Sequence, residues 1–241
     1  MLPPAVPRPI QWGRLRENLA ILDKGDAAQI LEAAFSVGDA LGGMSEERHL
    51  QRLQASPLGR ELIDRRELLA DALADDDSLA AMSPQSVGRS YLDFKRRHGL
   101  DVRKLLESQH AMSRDYADLD PVRRWLRDRL TVLHDLWHIL CGYDATTAGE
   151  SALMCFSLPQ RVNDRALPIF VAMSVSTGKI RPRNAAEAIR RGRRAVDLTE
   201  QPFERLLAEP LVEVREQLRI GTPQASHPGP LTQEMLIAEI A

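Results

Sequence analysis

Two histidines four residues apart, His134 and His138, stand with an acid beside the first at Asp135 and another further on at Glu150. Four residues turn a helix through about 400°, which leaves the two imidazoles about 40° apart on one face. Asp135 sits about 100° from His134 and reaches toward the same patch. Glu150 must return from beyond a turn, because Gly142-Tyr143-Asp144 reads as a helix stop. Two neutral nitrogens and two anionic oxygens meeting at one point form a chelate for a divalent ion such as zinc or iron. The same helix carries Leu130, Val132, Leu133, Leu136, Trp137, Ile139 and Leu140, apolar on nearly every side, so it is expected to be buried. Ionisable groups in such a place need a partner or a metal. Cys141 falls on the His134 face and ranks second as a soft ligand, since a buried cysteine is more often a small apolar filler.

The elements that must position these groups all read as helices, with no alternating strand pattern. Spacing predicts a helix over Gln11 to Leu22, and a capping box at Asp26 and Gln29 opens a second one to Leu41. Ser45 caps a helix to Leu53, and Ser56-Pro57 starts another. Asp75-Asp76-Asp77 is expected to be a solvated acidic loop. Ser83 to Tyr91 is a loop entering a helix, Val102 to His110 a weak helix inside a longer loop, and Pro121 the opening of the metal helix. Helical pattern resumes after Glu150, so that Glu150 begins a helix facing the first, as ligands do between packed helices of a bundle. Leu167 to Met173 is strongly apolar: either core, or the wall of a pocket for an isoprenoid or lipid tail. Asn184 and Glu187 form another capping-box start, leading into an arginine-rich run. There Arg193 and Arg194 suit a phospholipid headgroup or a substrate carboxylate or phosphate, against a solvated face paired with Glu204, Glu209 and Glu213. His49, His98, His110 and His227 lack partners at ligand spacing and are expected at the surface.

Composition narrows the class. The 241 residues are 44% hydrophobic, enough for a real core, and a formal net charge of −2 gives no pull toward nucleic acid. Two cysteines point to a reducing compartment. No stretch approaches the roughly 20 apolar residues of a membrane span. The expected organisation is a proline-rich flexible arm over 1–10, a single all-α domain over 11–222, and a tail over 223–241. Within that tail Leu231 to Ile240 reads as a short amphipathic helix.

Beyond these readings the chain resembles a known family, the fourth protein of coenzyme Q (ubiquinone) biosynthesis. The hallmark is His-Asp-x-x-His, eleven residues, then Glu, matched here by His134, Asp135, His138 and Glu150. Ser56-Pro57-Leu58-Gly59-Arg60 is similar to the family's early turn, and Gly88-Arg89-Ser90-Tyr91-Leu92-Asp93-Phe94 to its Gly-Arg-x-Tyr-x-x-Phe segment. Gly149-Glu150, Gly192-Arg193-Arg194-Ala195 and Phe203-Glu204 continue the likeness, over roughly residues 45 to 222. Cys141 lies outside the family pattern.

The resemblance implies an all-α homodimer with a metal site between packed helices and an apolar lipid-binding pocket. It implies metal-dependent oxidative decarboxylation, in which the C1 carboxyl of a polyprenylated 4-hydroxybenzoate-type ring is replaced by a hydroxyl. The alternative is a non-catalytic scaffold that binds lipid and gathers the other ubiquinone biosynthesis enzymes. His134, Asp135, His138 and Glu150 would hold one zinc, iron or cobalt ion, with O₂ as co-substrate and Arg193 and Arg194 meeting substrate or lipid anions. Asp135 either ligates or orients an imidazole from behind. The chain lacks a clear transit peptide, so a bacterial member is expected, peripheral on the cytoplasmic face of the inner membrane. His-Asp-x-x-His also echoes the zinc-hydrolase motif His-Glu-x-x-His, but Asp is one methylene shorter than the general base there.

Overall fold

Short polar side chains set where the helices begin. In the computed structural model, which describes residues 8–24 and 27–223, the chain is all-α. It runs α1 (Trp12–Lys24), α2 (Ala27–Leu41), α3 (Ser45–Ala55), α4 (Pro57–Arg65), α5 (Leu69–Ala74), α6 (Asp76–Ala81) and α7 (Val87–His98). It continues as α8 (Val102–Met112), α9 (Pro121–Cys141), α10 (Thr147–Ser157), α11 (Ala166–Ser176), α12 (Pro182–Arg194), α13 (Phe203–Leu206) and α14 (Leu211–Gln217). Side-chain oxygens accept from first-turn amides at Ser56 for α4, Ser86 for α7, Asp101 for α8, Asp120 for α9 and Thr146 for α10. Each cap answers a donor that the helix itself leaves open. Gly142 ends α9 in the left-handed region at φ +73, a conformation that costs a residue with a Cβ about 1 kcal/mol or more.

Three apolar clusters hold the helices together. The largest wraps α9, with Tyr91 and Phe94 from α7, Leu136, Ile139 and Leu140 from α9 itself, and Phe156 from α10. A second joins Leu15 and Leu22 of α1, Val37 and Leu41 of α2, and Ala166 of α11. A third packs Leu50, Leu53 and Leu62 against Trp125 and Leu126 of α9. Among the described residues no helix is long and apolar enough to cross a membrane.

Several expectations are corrected. Asp75-Asp76-Asp77 is a helix start rather than a loop: Asp75 accepts from Ser78 N at 3.0 Å, and the next two acids face the positive end of α6. Asn184 is not the cap, because Pro182 occupies the first turn of α12 and puts the cap at Arg181, three residues earlier. His49 is fully buried, since it shares with Ser45 and Leu53 the face of α3 turned to the core. His110 is partnered, with Nε2 2.7 Å from Asp128 Oδ1 and its ring stacked on Tyr116. Residues 8–10, expected within a mobile arm, are tied down at Arg8. Its carbonyl accepts from Gly43 N at 3.2 Å and its guanidinium reaches Asp39 at 2.8 Å. The Asp26 cap and the Leu231–Ile240 helix lie outside the described residues, as does His227.

Candidate metal centre

The C-terminal half of α9 delivers both imidazoles to one place. His138 is buried, with its ring stacked on Phe94 at 5.4 Å between centroids. Its Nδ1–H donates to the Tyr143 carbonyl at 3.1 Å, which leaves Nε2 facing Glu150 Oε1, 3.1 Å away. His134 stands edge-on to His138 with centroids 5.0 Å apart, and its Nε2 lies 3.1 Å from the other Glu150 oxygen. Glu150 arrives as predicted, in the first turn of α10. Thr146 caps that turn, and Gly149 lets it lie against the Asp144 carbonyl, where a Cβ would collide.

The ligand atoms of His134, His138 and Glu150 all fall within 4.8 Å of one another. A tetrahedral ion with bonds of about 2.0 Å holds its donors about 3.3 Å apart. Each imidazole lies 3.1 Å from a different Glu150 oxygen, and a shared ion would draw the three donors, now within 4.8 Å, closer together. The donor chemistry fits such an ion. Two imidazoles and one carboxylate serve both open zinc sites and non-haem iron, and three protein ligands leave a position for substrate.

Electrostatics are those of a tightly coupled cluster. Burial alone would lower the His134 imidazole, but the Glu150 carboxylate overrides it and lifts the group to about 9. Burial also opposes charge on Glu150, yet His138 and His134 outweigh it and hold the carboxyl far below the usual range. Asp135 moves the other way, raised by burial against the pull of the two imidazoles.

His134 and Glu150 keep 45% and 38% of their side chains exposed, toward a cavity of about 1710 Å³ that both help to line. Its wall runs over α2, α8, α9, α10 and α11. Phe35, Leu105, Met154, Leu167, Phe170 and Met173 supply apolar surface, and Asp39, Asp115, Arg123 and Arg127 supply charge. The apolar α11 packs on the α1–α2 cluster through Ile169, Phe170 and Met173, and it also lines the cavity through Leu167, Phe170 and Met173.

The sequence-derived candidates separate here. The structure brings His134, His138 and Glu150 together. Asp135 is buried, lines the same cavity and stands outside that three-atom cluster. Arg193 and Arg194 are exposed on α12 and do not line the cavity. Glu204 is committed to Arg129. Cys141 is buried away from the cluster, with its thiol pushed up to about 12 by burial. Sequence reasoning missed Arg191 and Arg215, which bind the end of α9. For Arg191 a signal existed, because it shares a helical face with Asn184, Ala188 and Gly192, all buried.

Comparison with known proteins adds an independent line. The family model described as Coenzyme Q (ubiquinone) biosynthesis protein Coq4 matches residues 26–224. The chain is similar to the mitochondrial ubiquinone biosynthesis protein COQ4 homolog of Mus musculus, at 27% identity over 182 residues, 71% of this chain and 64% of that protein. It thus spans less than two thirds of that relative's length. The Homo sapiens homolog is 24% identical over 224 residues, covering 84% of this chain and 78% of its own. A crystal structure of a Nostoc punctiforme protein provisionally assigned to ubiquinone biosynthesis superposes with a TM-score of 0.61 at 19% identity. It covers 88% of this chain and 100% of that one, a likeness of fold alone.

Proposed function

The chain belongs to the Coenzyme Q (ubiquinone) biosynthesis protein Coq4 family, and from that premise we propose that it acts in ubiquinone biosynthesis as a metal-dependent oxidative decarboxylase. The substrate is a polyprenylated 4-hydroxybenzoate-type ring whose C1 carboxyl is exchanged for a hydroxyl. One observation carries the reading: a three-donor cluster opens through His134 and Glu150 onto a cavity of about 1710 Å³. Pockets for drug-sized ligands span about 300–1,000 Å³, so this space accommodates a ring with a long tail.

A divalent ion held by His134, His138 and Glu150 supplies a Lewis acid and a binding position for the ring carboxylate, and iron or cobalt would add the redox chemistry zinc lacks. The chain's own groups do the rest. Asp135 completes the ligand set or orients an imidazole from behind. Leu167, Phe170 and Met173 receive the prenyl tail and keep water from the ring. Arg193 and Arg194, turned outward, meet phospholipid anions where the chain rests on a membrane. The balance closes with one O₂. The ring carbon loses CO₂ and gains one oxygen atom, the other oxygen leaves as water, and the ring ends as a quinone. A two-electron reductant yields the hydroquinone.

The test is purified protein, loaded with Fe²⁺, Co²⁺ or Zn²⁺ in turn, given prenylated 4-hydroxybenzoate under O₂. Release of CO₂ is expected, and its loss in His134→Ala and Glu150→Ala. Substrate binding without CO₂ release with any metal would identify the scaffold instead, and turnover retained in both variants would exclude this site.

A further inference from the structure

The last turn of an α-helix leaves four backbone carbonyls without partners inside the helix. At the end of α9 all four are answered. The His138 carbonyl accepts from the Gly142 and Tyr143 amides at 2.9 and 3.1 Å. Arg215 donates to the Ile139 and Leu140 carbonyls at 2.7 and 3.0 Å, and Arg191 to that of Cys141 at 2.8 Å. Arg191 does more than cap. It also donates to the Tyr143 hydroxyl at 2.5 Å and the Gly221 carbonyl at 2.6 Å, and it lies over the Tyr143 ring, 5.1 Å from its centroid. The side chain is buried, where hydrogen bonds from a charged donor are at their strongest. The carbonyl of that same Tyr143 is the acceptor for His138 Nδ1–H.

We propose that Arg191 is a positioning residue for the metal centre. One guanidinium fixes the residue before Gly142, through the Cys141 carbonyl, and the residue after it, through the Tyr143 side chain. The turn between them is thereby held so that the Tyr143 carbonyl stays on His138 Nδ1. Nε2 is then the nitrogen presented to a metal, with its lone pair aimed beside Glu150. Lysine keeps the charge but not the planar fork, and so cannot span the phenol and two carbonyls at once. The inference rests on reading His134, His138 and Glu150 as a metal site.

The experiment compares Arg191→Lys and Arg191→Gln with Arg129→Lys in the full chain. Arg129 is an equally buried arginine on the other half of α9, bonded to Glu204 and to the Gln201 carbonyl, with no link to Tyr143. Two quantities are read: the ¹⁵N shifts of the His138 ring in metal-free protein, and Zn²⁺ affinity by chelator competition. Both Arg191 variants are expected to lose the Nδ1–H signature and to bind Zn²⁺ about tenfold or more weakly, whereas Arg129→Lys keeps both. Folded Arg191 variants with unchanged His138 shifts and affinity overturn the proposal. So does an equal loss in Arg129→Lys at matched stability. If the Arg191 variants do not fold, Tyr143→Phe removes only the hydroxyl partner, and undisturbed His138 shifts there overturn it. Wild-type protein that takes up no Zn²⁺ overturns the metal reading, and with it this inference; a metal-binding wild type with unaffected variants overturns the inference alone.

Discussion

The two halves of α9 handle buried polarity in opposite ways. In the first half the arginines turned inward meet fixed anions: Arg123 pairs with Glu47 and Asp120, Arg127 with Glu46 and Asp115, and Arg129 with Glu204. In the second half two imidazoles converge on the one carboxylate of Glu150, each 3.1 Å from one of its oxygens. A guanidinium can only donate and is always charged, so it is satisfied once carboxylates surround it. Imidazole and carboxylate also bind metals, and clustering them gains nothing for packing that an apolar trio would not supply better. One helix therefore contains a half whose charges are paired off and a half whose His134 and His138 join Glu150 in a cluster that could hold a metal ion.

The sharpest break between the halves is expected at Glu150. Glu150→Gln should weaken metal binding by about 100-fold or more while leaving the fold intact, measured by chelator competition and urea unfolding. In the wild type the same titration should show affinity rising with pH up to about 9, roughly tenfold per pH unit. Below that pH a proton occupies the His134 imidazole that the metal needs in its neutral form. A flat profile would show that His134 is no ligand.

Arg127→Met should produce the converse. Leaving Glu46 and Asp115 without their guanidinium should cost about 3 kcal/mol in urea unfolding, with metal affinity unchanged. Equal losses of affinity and stability would dissolve the distinction between the halves.

His49, on the helix packed against the first half, gives a pH test of comparable or smaller size. Burial and the neighbouring Arg52 guanidinium push its imidazole down to about 4. The folded state holds it neutral while the unfolded chain takes up a proton below about 6.5, so stability is lost as pH falls from about 6.5 toward about 4. The full loss is about 3 kcal/mol, and His49→Gln should flatten that limb of the pH–stability curve. Unchanged slopes would place His49 in contact with solvent.

Thr146→Ala should have the smallest effect. Losing the cap of α10 should cost about 1 kcal/mol and weaken metal binding only slightly, since Glu150 is one turn away. Affinity falling as far as in Glu150→Gln would mean that the cap, not the carboxylate, organises the site.

The sequence by itself determined the helices and the candidate ligands, because both depend on local relations. Oxygen-bearing caps at Ser56, Asp120 and Thr146 act within one turn, and His134 and His138 share a face through helical period alone. Glu150 was legible because only a stop and a restart separate it from them. What lies beyond those few residues of reach was decided by the tertiary structure. Asp135 is adjacent in the chain yet stands outside the cluster, since one residue turns a helix by about 100°. Four arginines that read alike divide, Arg191 inward and Arg190, Arg193 and Arg194 outward, because α12 lays one face on α10. The cavity is walled by helices distant in sequence, so no local pattern encodes it. Its shape follows from how separate apolar clusters settle against one another, and packing, unlike helical period, is a property of the whole chain.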